Sequence, residues 1–179
     1  MKKKENSGKG FEKLWAPWRM KYIEGIDVND SGKCIFCEKP KEKNDKENFI
    51  VYRGSKCFII LNTFPYNNGH LLVVPYKHTS EIKDLDSETM LELMNTAGIV
   101  IEAVKNTMRP DGFNVGMNLG RSAGAGIAEH LHIHIVPRWI GDTNFMPVIG
   151  GTKVISESLE DTYRKLSKAM KSCLKYMSE

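Results

Sequence analysis

The chain has 179 residues, a length that suits one domain, and 41% of them are hydrophobic, enough for an ordinary core. Its formal net charge of +4 depends on five lysines near the start of the chain, Lys2, Lys3, Lys4, Lys9 and Lys13. Without them no basic surface remains that would indicate DNA or RNA binding, so we expect no nucleic-acid partner.

The first residues do not form a targeting segment. Residues 1–4 are basic, but no apolar stretch follows them, so secretion is not expected. No run is long enough to span a bilayer. The cysteines do not form a disulfide framework, because two of them are spaced for metal and Cys57 and Cys173 stand singly in apolar patterns. We therefore expect a cytoplasmic protein with no membrane contact.

The first third of the chain passes from a polar tail to strands. The sequence predicts a disordered basic tail at residues 1–12 and a single domain over residues 13–179. An aromatic-rich segment at 14–23 precedes a charged, loop-like stretch that contains Cys34 and Cys37. Three strands are then predicted from runs rich in Ile, Val, Leu and Phe, separated by turn residues, at 49–53, 57–62 and 70–76.

A long helix is predicted next, capped by Asp86 or Ser87 and ended by Pro110. Its apolar residues recur at steps of three and four, namely Met90, Leu93, Met94, Ala97, Ile101 and Val104. Two more strands, at 113–118 and 129–138, and an amphipathic helix at 158–177 complete the order. This order predicts an α+β fold, an antiparallel sheet with one long and one C-terminal helix to one side.

The segment His130-Leu131-His132-Ile133-His134-Ile135-Val136 carries the strongest functional signal. Side chains alternate along a strand, so the three histidines are predicted to share one face while the apolar residues face the core. A solvent-facing polar edge is the alternative. It does not explain why all three residues are the type that can act as nucleophile, hydrogen-bond donor and metal ligand near neutral pH.

Three imidazoles in a row could indicate either metal binding or covalent catalysis. Their backbones are roughly 7 Å apart from one histidine to the next, which makes it awkward for all three to bind one ion. A division of roles fits better, in which one ring attacks and a neighbouring ring holds phosphate oxygens.

A loop rich in Gly, Ala and Ser, residues 118–129, comes directly before the histidines. Small residues let backbone N–H groups approach an anion closely, although such loops are often only turns. Because of its position, we interpret this loop as a phosphate cradle whose candidate contacts are Asn118, Arg121, Ser122, Gly124, Ala125 and Gly126.

These motifs resemble the histidine-triad (HIT) family of nucleotide hydrolases and transferases, and the similarity extends over most of residues 34–138. The segments 14–20 and 124–127 are also similar to the bacterial diadenosine tetraphosphate phosphorylase branch of that family. The resemblance implies that His132 attacks the α-phosphorus to form a nucleotidyl-histidine and that His134 contacts phosphate oxygens. It also implies a homodimer.

One position departs from the pattern of many hydrolase members. Those members carry a glutamine before the triad that helps to place phosphate or water, whereas this sequence has Gly126. The difference favours inorganic phosphate over water as the acceptor.

Cys34-x-x-Cys37 supplies two ligands of the kind that a structural zinc site uses, and such a site needs two more. His78 and His130 are the best candidates, and the resemblance supports this set because zinc-containing members use two cysteines and two histidines. The alternative is a pair of partly buried, reduced thiols. The loop setting argues against a redox pair.

The residues alone do not identify a nucleoside pocket, because Asn and Gly are common in ordinary turns. The resemblance implies that Asn62 contacts the ribose hydroxyls and that His70 supports the site. Trp139 could stack on a nucleoside, and Phe36, Ile59 and Leu61 could line the base pocket, although core packing explains all four as well.

Three functions remain open on the sequence. The first is a phosphorylase that splits diadenosine tetraphosphate with inorganic phosphate into ADP and ATP. The second is a hydrolase of dinucleoside polyphosphates or nucleoside phosphoramidates. The third is a non-catalytic nucleotide-binding module that a structural zinc ion holds together. The middle histidine favours an enzyme, and the missing glutamine favours the first function over the second.

Overall fold

The architecture is known from a computed structural model, which describes residues 33–145, 149 and 154–177. The predicted basic tail and the aromatic-rich segment at 14–23 lie outside these residues. In chain order the helices and strands are α1 (Ile35–Glu38), β1 (Ile50–Arg53), β2 (Cys57–Leu61), β3 (Leu71–Pro75), α2 (Ser87–Met108), β4 (Gly112–Gly116), β5 (Ile133–Arg138) and α3 (Leu159–Met177). Short 3₁₀ turns lie at Lys39–Glu42, Ile82–Asp84 and Arg121–Ala123.

The described strands form one antiparallel sheet in the order β1-β2-β3-β5-β4. β5 therefore lies between β3 and β4, and β4 forms one edge of the sheet. This arrangement confirms the predicted α+β fold with one long and one C-terminal helix.

Helix α2 begins where the sequence predicts, because the Asp86 side chain accepts the Thr89 N–H at 2.7 Å as an N-cap. It ends at Met108, and Arg109 takes a left-handed conformation just before Pro110. The predicted apolar stripe is partly wrong, because Met90 and Met94 are exposed. Leu93, Ala97 and Val104 are buried as predicted. The buried face is completed by Thr89, Thr96, Val100 and Ala103.

The main core lies between the sheet and the two long helices. Helix α3 packs on α2 and on β1 and contributes the buried residues Leu166 and Met170. Leu131, Ile133 and Ile135 face this core from the histidine segment, as the alternation predicts. Among the described residues, no helix has the length and apolar character needed to cross a membrane.

The opposite side of the sheet, here called the histidine face, carries His130, His132 and His134. A second, smaller apolar cluster lies on this face, formed by the strand residues Ile50, Phe58, Ile60, Leu72 and Val74 together with Phe36 of α1. Ile59 and Leu61 lie in the main core beneath the helices. Their proposed role in lining the base pocket is therefore wrong, whereas Phe36 does lie beside the histidines.

The last strand is shorter than predicted, since β5 begins at Ile133 and not at residue 129. The paired residues of β3 and β5 end at Val73 and Ile133. Continued in the same register, the ladder would bring Leu131 opposite Pro75, which has no N–H to donate. The Leu131 N–H donates instead to the Thr79 carbonyl at 2.8 Å. His130 and His132 thus sit in a segment that is free of the regular ladder.

Candidate active site

Four side chains from distant parts of the sequence meet at one end of the histidine face. His130 Nδ1 lies 3.3 Å from Cys34 Sγ and 3.6 Å from Cys37 Sγ. His78 Nδ1 lies 3.3 Å from Cys37 Sγ and 3.2 Å from His130 Nδ1. All four ligand atoms lie within 4.8 Å of one another, so this group could hold a metal ion.

The four separations given above, 3.2–3.6 Å, are close to those expected for tetrahedral coordination. Bonds of 2.0–2.1 Å to nitrogen and about 2.3 Å to sulfur give ligand separations of roughly 3.3–3.8 Å at tetrahedral angles. The His130 Nε2–H donates to the Pro75 carbonyl at 2.8 Å, which leaves the Nδ1 lone pair free to face the cysteines. The donor set, two thiols and two imidazoles, suits zinc.

His132 lies next along the face, and one hydrogen bond sets its tautomer. Its Nδ1–H donates to the His130 carbonyl at 2.8 Å, so Nε2 carries a lone pair. Burial lowers the pKa of His132 below the usual imidazole value, while the bond to that carbonyl acts in the opposite direction. The ring is therefore neutral near pH 7 and can act as a nucleophile through Nε2.

His134 follows, with its ring centroid 4.7 Å from that of His132. Its Nδ1 lies 3.0 Å from Nε2 of His70, which is only 1% exposed. The ring of Tyr66 stacks on His134 at 5.6 Å and contacts His70 at 4.7 Å. Burial, and secondarily the charge of His132, lowers the pKa of His134 to about 4.

The glycine-rich loop reaches the far side of His134. The Asn118 amide nitrogen lies 3.4 Å from His134 Nε2 and 3.4 Å from the Gly124 carbonyl. Gly120 and Gly124 have φ values of 80° and 89°, a conformation that favours glycine. Ala125 is buried, Gly126 is half-buried, and Arg121 and Ser122 are exposed.

The two predicted nucleoside contacts differ in where they lie. Asn62 is close to the histidines, with its amide nitrogen 3.3 Å from His70 Nδ1. Trp139 lies elsewhere, because its indole N–H donates to the Arg109 carbonyl at 3.2 Å, at the end of α2. No described contact joins Trp139 to the histidines of its own chain.

Sequence reasoning did not single out Tyr66. Its ring covers His70 and His134, and its backbone N–H donates to His70 Nδ1 at 3.0 Å. The usable signal was an aromatic residue four positions before His70, in a turn that leads directly into a buried strand.

The α+β fold and the row of three histidines at its last strand together indicate the histidine-triad class of proteins. The family model for the HIT domain matches residues 43–139, and the chain belongs to this family.

Named relatives narrow the comparison. The chain is 48% identical over 163 residues to an AP-4-A phosphorylase of Mycobacterium tuberculosis, covering 88% of this chain and 83% of the relative. Among solved structures, it resembles a zinc-bound histidine triad protein from Mycobacterium smegmatis, with a TM-score of 0.67, 25% identity, and coverage of 82% of this chain and 99% of the other. A histidine triad nucleotide-binding protein from Sulfolobus tokodaii gives a TM-score of 0.63, 31% identity, and coverage of 80% and 93%.

Proposed function

We propose that this protein is a nucleotidyl-transferring phosphorylase that converts diadenosine tetraphosphate and inorganic phosphate into ADP and ATP. The observation that carries the proposal is the tautomer of His132, whose Nε2 lone pair is directed away from the His130 carbonyl. The similarity to a relative named AP-4-A phosphorylase supports the choice of substrate.

The reaction runs in two displacements at the α-phosphorus. His132 Nε2 forms a bond to phosphorus while the bond to the bridging oxygen breaks, and the electron pair leaves with ATP. An oxygen of inorganic phosphate then attacks the nucleotidyl-histidine, and His132 departs with its electron pair to give ADP. The leaving imidazole is a good leaving group because it is only weakly basic.

The anionic transition states need donors, and the loop and triad offer them. We assign His134, Asn118 and the loop residues Arg121, Ser122, Gly124, Ala125 and Gly126 to the phosphate groups. The half-buried Gly126 adds no side chain where a glutamine amide would stand, which leaves room for a phosphate acceptor.

Asn62 and His70 are assigned to the nucleoside side of the site, Asn62 through the ribose hydroxyls. The contact of Asn62 with His70 supports this placement. Trp139 remains a prediction as a nucleoside contact, and its hydrogen bond to Arg109 gives that prediction no support within one chain.

The metal of the four-residue cluster is proposed to be structural zinc, bound by Cys34, Cys37, His78 and His130. A closed set of four protein ligands leaves no position for substrate. Bound zinc would fasten α1 to the histidine segment and supply no step of the reaction.

A homodimer is proposed as the working assembly. Strand β4 is a sheet edge with an exposed Val115, and helix α2 exposes Met90, Leu91 and Met94. Exposed apolar groups on an edge strand and on a helix are surfaces that a second copy could cover. We further propose one domain over residues 13–179 and a cytoplasmic location, which the free cysteines support.

The phosphorylase proposal is tested with radiolabelled inorganic phosphate and unlabelled diadenosine tetraphosphate, with products separated by chromatography. We expect label in ADP and none in ATP, because phosphate joins the transferred nucleotidyl group. Production of AMP at a rate indifferent to phosphate would support the hydrolase alternative. Binding of the nucleotide with no product of either kind would support the binding module.

A further inference from the structure

The turn that joins β2 to β3, residues 62–70, carries both side chains assigned to the nucleoside, Asn62 and His70. The two ends of this β2–β3 turn are bonded to each other, because the Asn62 N–H donates to the His70 carbonyl at 3.0 Å. The His70 N–H donates to the Asn67 carbonyl at 3.2 Å. The position of Asn67 therefore affects the position of His70 and, through it, that of Asn62.

Asn67 is buried, and its side chain is held from outside the β2–β3 turn. Its amide nitrogen donates to the Pro137 carbonyl of β5 at 3.1 Å and to Asp142 Oδ2 at 2.7 Å. Asp142 lies 75 positions further along the chain, just after β5. The shorter of the two bonds goes to a carboxylate, and hydrogen bonds to charged groups are the stronger kind. Asp142 is therefore the main external anchor of Asn67.

The Asp142 side chain is itself held firmly and is only 7% exposed. It accepts Arg138 Nε–H at 2.6 Å, Arg138 Nη2–H at 2.9 Å and the Trp139 backbone N–H at 3.1 Å. Arg138 is held on its other side by Asn114 of β4, whose side-chain oxygen accepts Nη1–H at 2.8 Å. A buried carboxylate with several charge-assisted bonds has little freedom to move. It therefore offers Asn67 a fixed acceptor.

We propose that Asp142 is a positioning residue for recognition of the sugar: it holds Asn67, and thereby keeps Asn62 where its side chain can bind the ribose hydroxyls. Asp142 acts through Asn67 and not by contact with the substrate. A binding group must be held to within about 0.5 Å for such a hydrogen bond to form, so a turn that shifts loses the contact. The inference rests on the proposed function and adds a residue that governs its choice of sugar.

The alternative is that Asp142 only closes its own turn, since its N–H donates to the Trp139 carbonyl at 3.0 Å. Asp111 provides a matched control for this alternative. Its carboxylate accepts the Ile140 N–H of the same turn at 2.7 Å, next to the Trp139 N–H that Asp142 accepts. Within the part of the chain that the structure describes, no hydrogen bond joins Asp111 to Asn67. The two carboxylates therefore differ in the bond to Asn67.

Amide hydrogen exchange of the full chain without nucleotide tests the anchor itself. Asp142→Asn keeps the shape of the side chain but removes its charge and one acceptor oxygen. We expect the backbone N–H groups of Asn62 and His70 to exchange at least about fivefold faster in Asp142→Asn, because a bond to a charged group is weakened. In Asp111→Asn they should exchange at the wild-type rate. Unchanged exchange in Asp142→Asn, or equal acceleration in both variants, would overturn the inference.

The choice of sugar is tested by comparing diadenosine tetraphosphate with the same molecule built from 2′-deoxyadenosine. In wild type we expect kcat/KM to favour the ribose form at least about tenfold, the scale of one hydrogen bond lost from a polar site. The preference should fall below about threefold in Asp142→Asn and persist in Asp111→Asn. A general loss of stability would lower both rates and leave their ratio unchanged. A wild-type ratio in Asp142→Asn, or an equal fall in both variants, would contradict the proposal.

Asn67→Ala tests the same bond from its other side, and decides the matter if Asp142→Asn does not fold. It should lose the sugar preference as Asp142→Asn does, and the double variant should lose no more, because both changes act through one bond. A wild-type preference in Asn67→Ala would overturn the inference. If wild type turns over neither nucleotide, the proposed function is rejected, and faster exchange in Asp142→Asn but not in Asp111→Asn would still support the anchor.

Discussion

His132 is positioned by His130, two residues earlier in the sequence, as well as by the fold. The His130 carbonyl, which holds its Nδ1–H at 2.8 Å, belongs to a residue whose own ring faces the two cysteines. The proposed nucleophile and the proposed metal site therefore share one short segment outside the regular ladder. Small changes in that segment are expected to affect both.

Replacement of His132 by Gly or Ala should reduce turnover of diadenosine tetraphosphate by about 1000-fold or more, because the His130 ring faces the cysteines and His134 is assigned to the phosphate oxygens. Wild-type protein quenched during turnover should retain an acid-labile, base-stable nucleotidyl adduct. Free imidazole added to His132→Gly should restore part of the activity, since it can fill the space of the missing ring. Undiminished activity in His132→Ala would end the assignment.

The acceptor is predicted to depend on Gly126. In Gly126→Gln the new amide would fill the space proposed for inorganic phosphate, so phosphorolysis should fall at least about tenfold, and any remaining turnover should shift towards AMP. Gly126→Ala is the matched control, because it adds a Cβ without an amide. An equal loss in both variants would mean that space, and not the amide, governs the acceptor.

At the scale of elements, we expect the short helix α1 to depend on the proposed metal site formed by Cys34, Cys37, His78 and His130. The helix is four residues long, and the side chain of its N-cap residue Cys34 makes no capping hydrogen bond, so intrinsic helix stability is small. Contacts of Phe36 with His130 and His132, at centroid distances of 5.5 and 5.1 Å, connect α1 to the histidine face. A metal bound there is therefore expected to stabilise α1, which forms one wall of the candidate site.

Elemental analysis should find about one zinc per chain in protein purified without chelator. Cys37→Ser should lose the metal and lower the melting temperature, because one of four ligands is removed. Cys173→Ser, on helix α3 and outside the cluster, should keep both the metal content and the melting temperature. Metal-free wild-type protein that melts like the untreated protein would rule out a structural role.

The strands and helices could be predicted from the sequence where turn residues bound an apolar run or a cap marks a helix end, as Asp86 does for α2. The face of a strand could not be predicted for β2, whose residues are all apolar and all buried. Without a polar alternation, nothing in that sequence shows that Phe58 and Ile60, and not Ile59 and Leu61, lie on the histidine face.

In the candidate site too, only the features that local sequence patterns mark could be predicted. The alternating histidines predict a shared face, and the cysteine spacing predicts a ligand pair, because both are local patterns. The contact between His70 and His134 joins residues 64 positions apart, and the Tyr66 N–H that donates to His70 belongs to the backbone, which no side-chain pattern reports. These contacts could therefore not be predicted without the structure.

At the scale of the whole molecule, the proposed homodimer requires two features of the surface of each chain. Strand β4 must remain open for pairing, and the exposed apolar side chains of α2 must be covered. Analytical ultracentrifugation should give twice the mass of one chain at micromolar concentration. Met94 is 61% exposed in one chain. Met94→Glu should therefore shift the protein towards monomer, because the new carboxylate would be buried in the proposed interface.

Ser172→Glu is the matched control for that variant, since it adds the same charge on the exposed side of helix α3. It should leave the mass unchanged. A wild-type protein that sediments as a monomer would contradict the dimer. An equal shift in both variants would mean that α2 is not the interface.

Stability should fall as the pH drops from about 6.5 to 4, because of the buried triad. Burial lowers the pKa of His134 from 6.5 to about 4. Between these two pH values the imidazole is therefore protonated in the unfolded chain and neutral in the folded chain. The stability that neutral His134 provides is complete above pH 6.5 and lost as the pH falls towards 4, a change of about 3 kcal/mol. Burial lowers the pKa of His132 as well, so the effect of His132 has the same sign. Urea unfolding of wild type and His134→Gln between pH 7 and pH 4 measures the difference. The variant, which cannot titrate at this position, should show a shallower loss, and parallel curves would show that protonation of His134 does not govern acid stability.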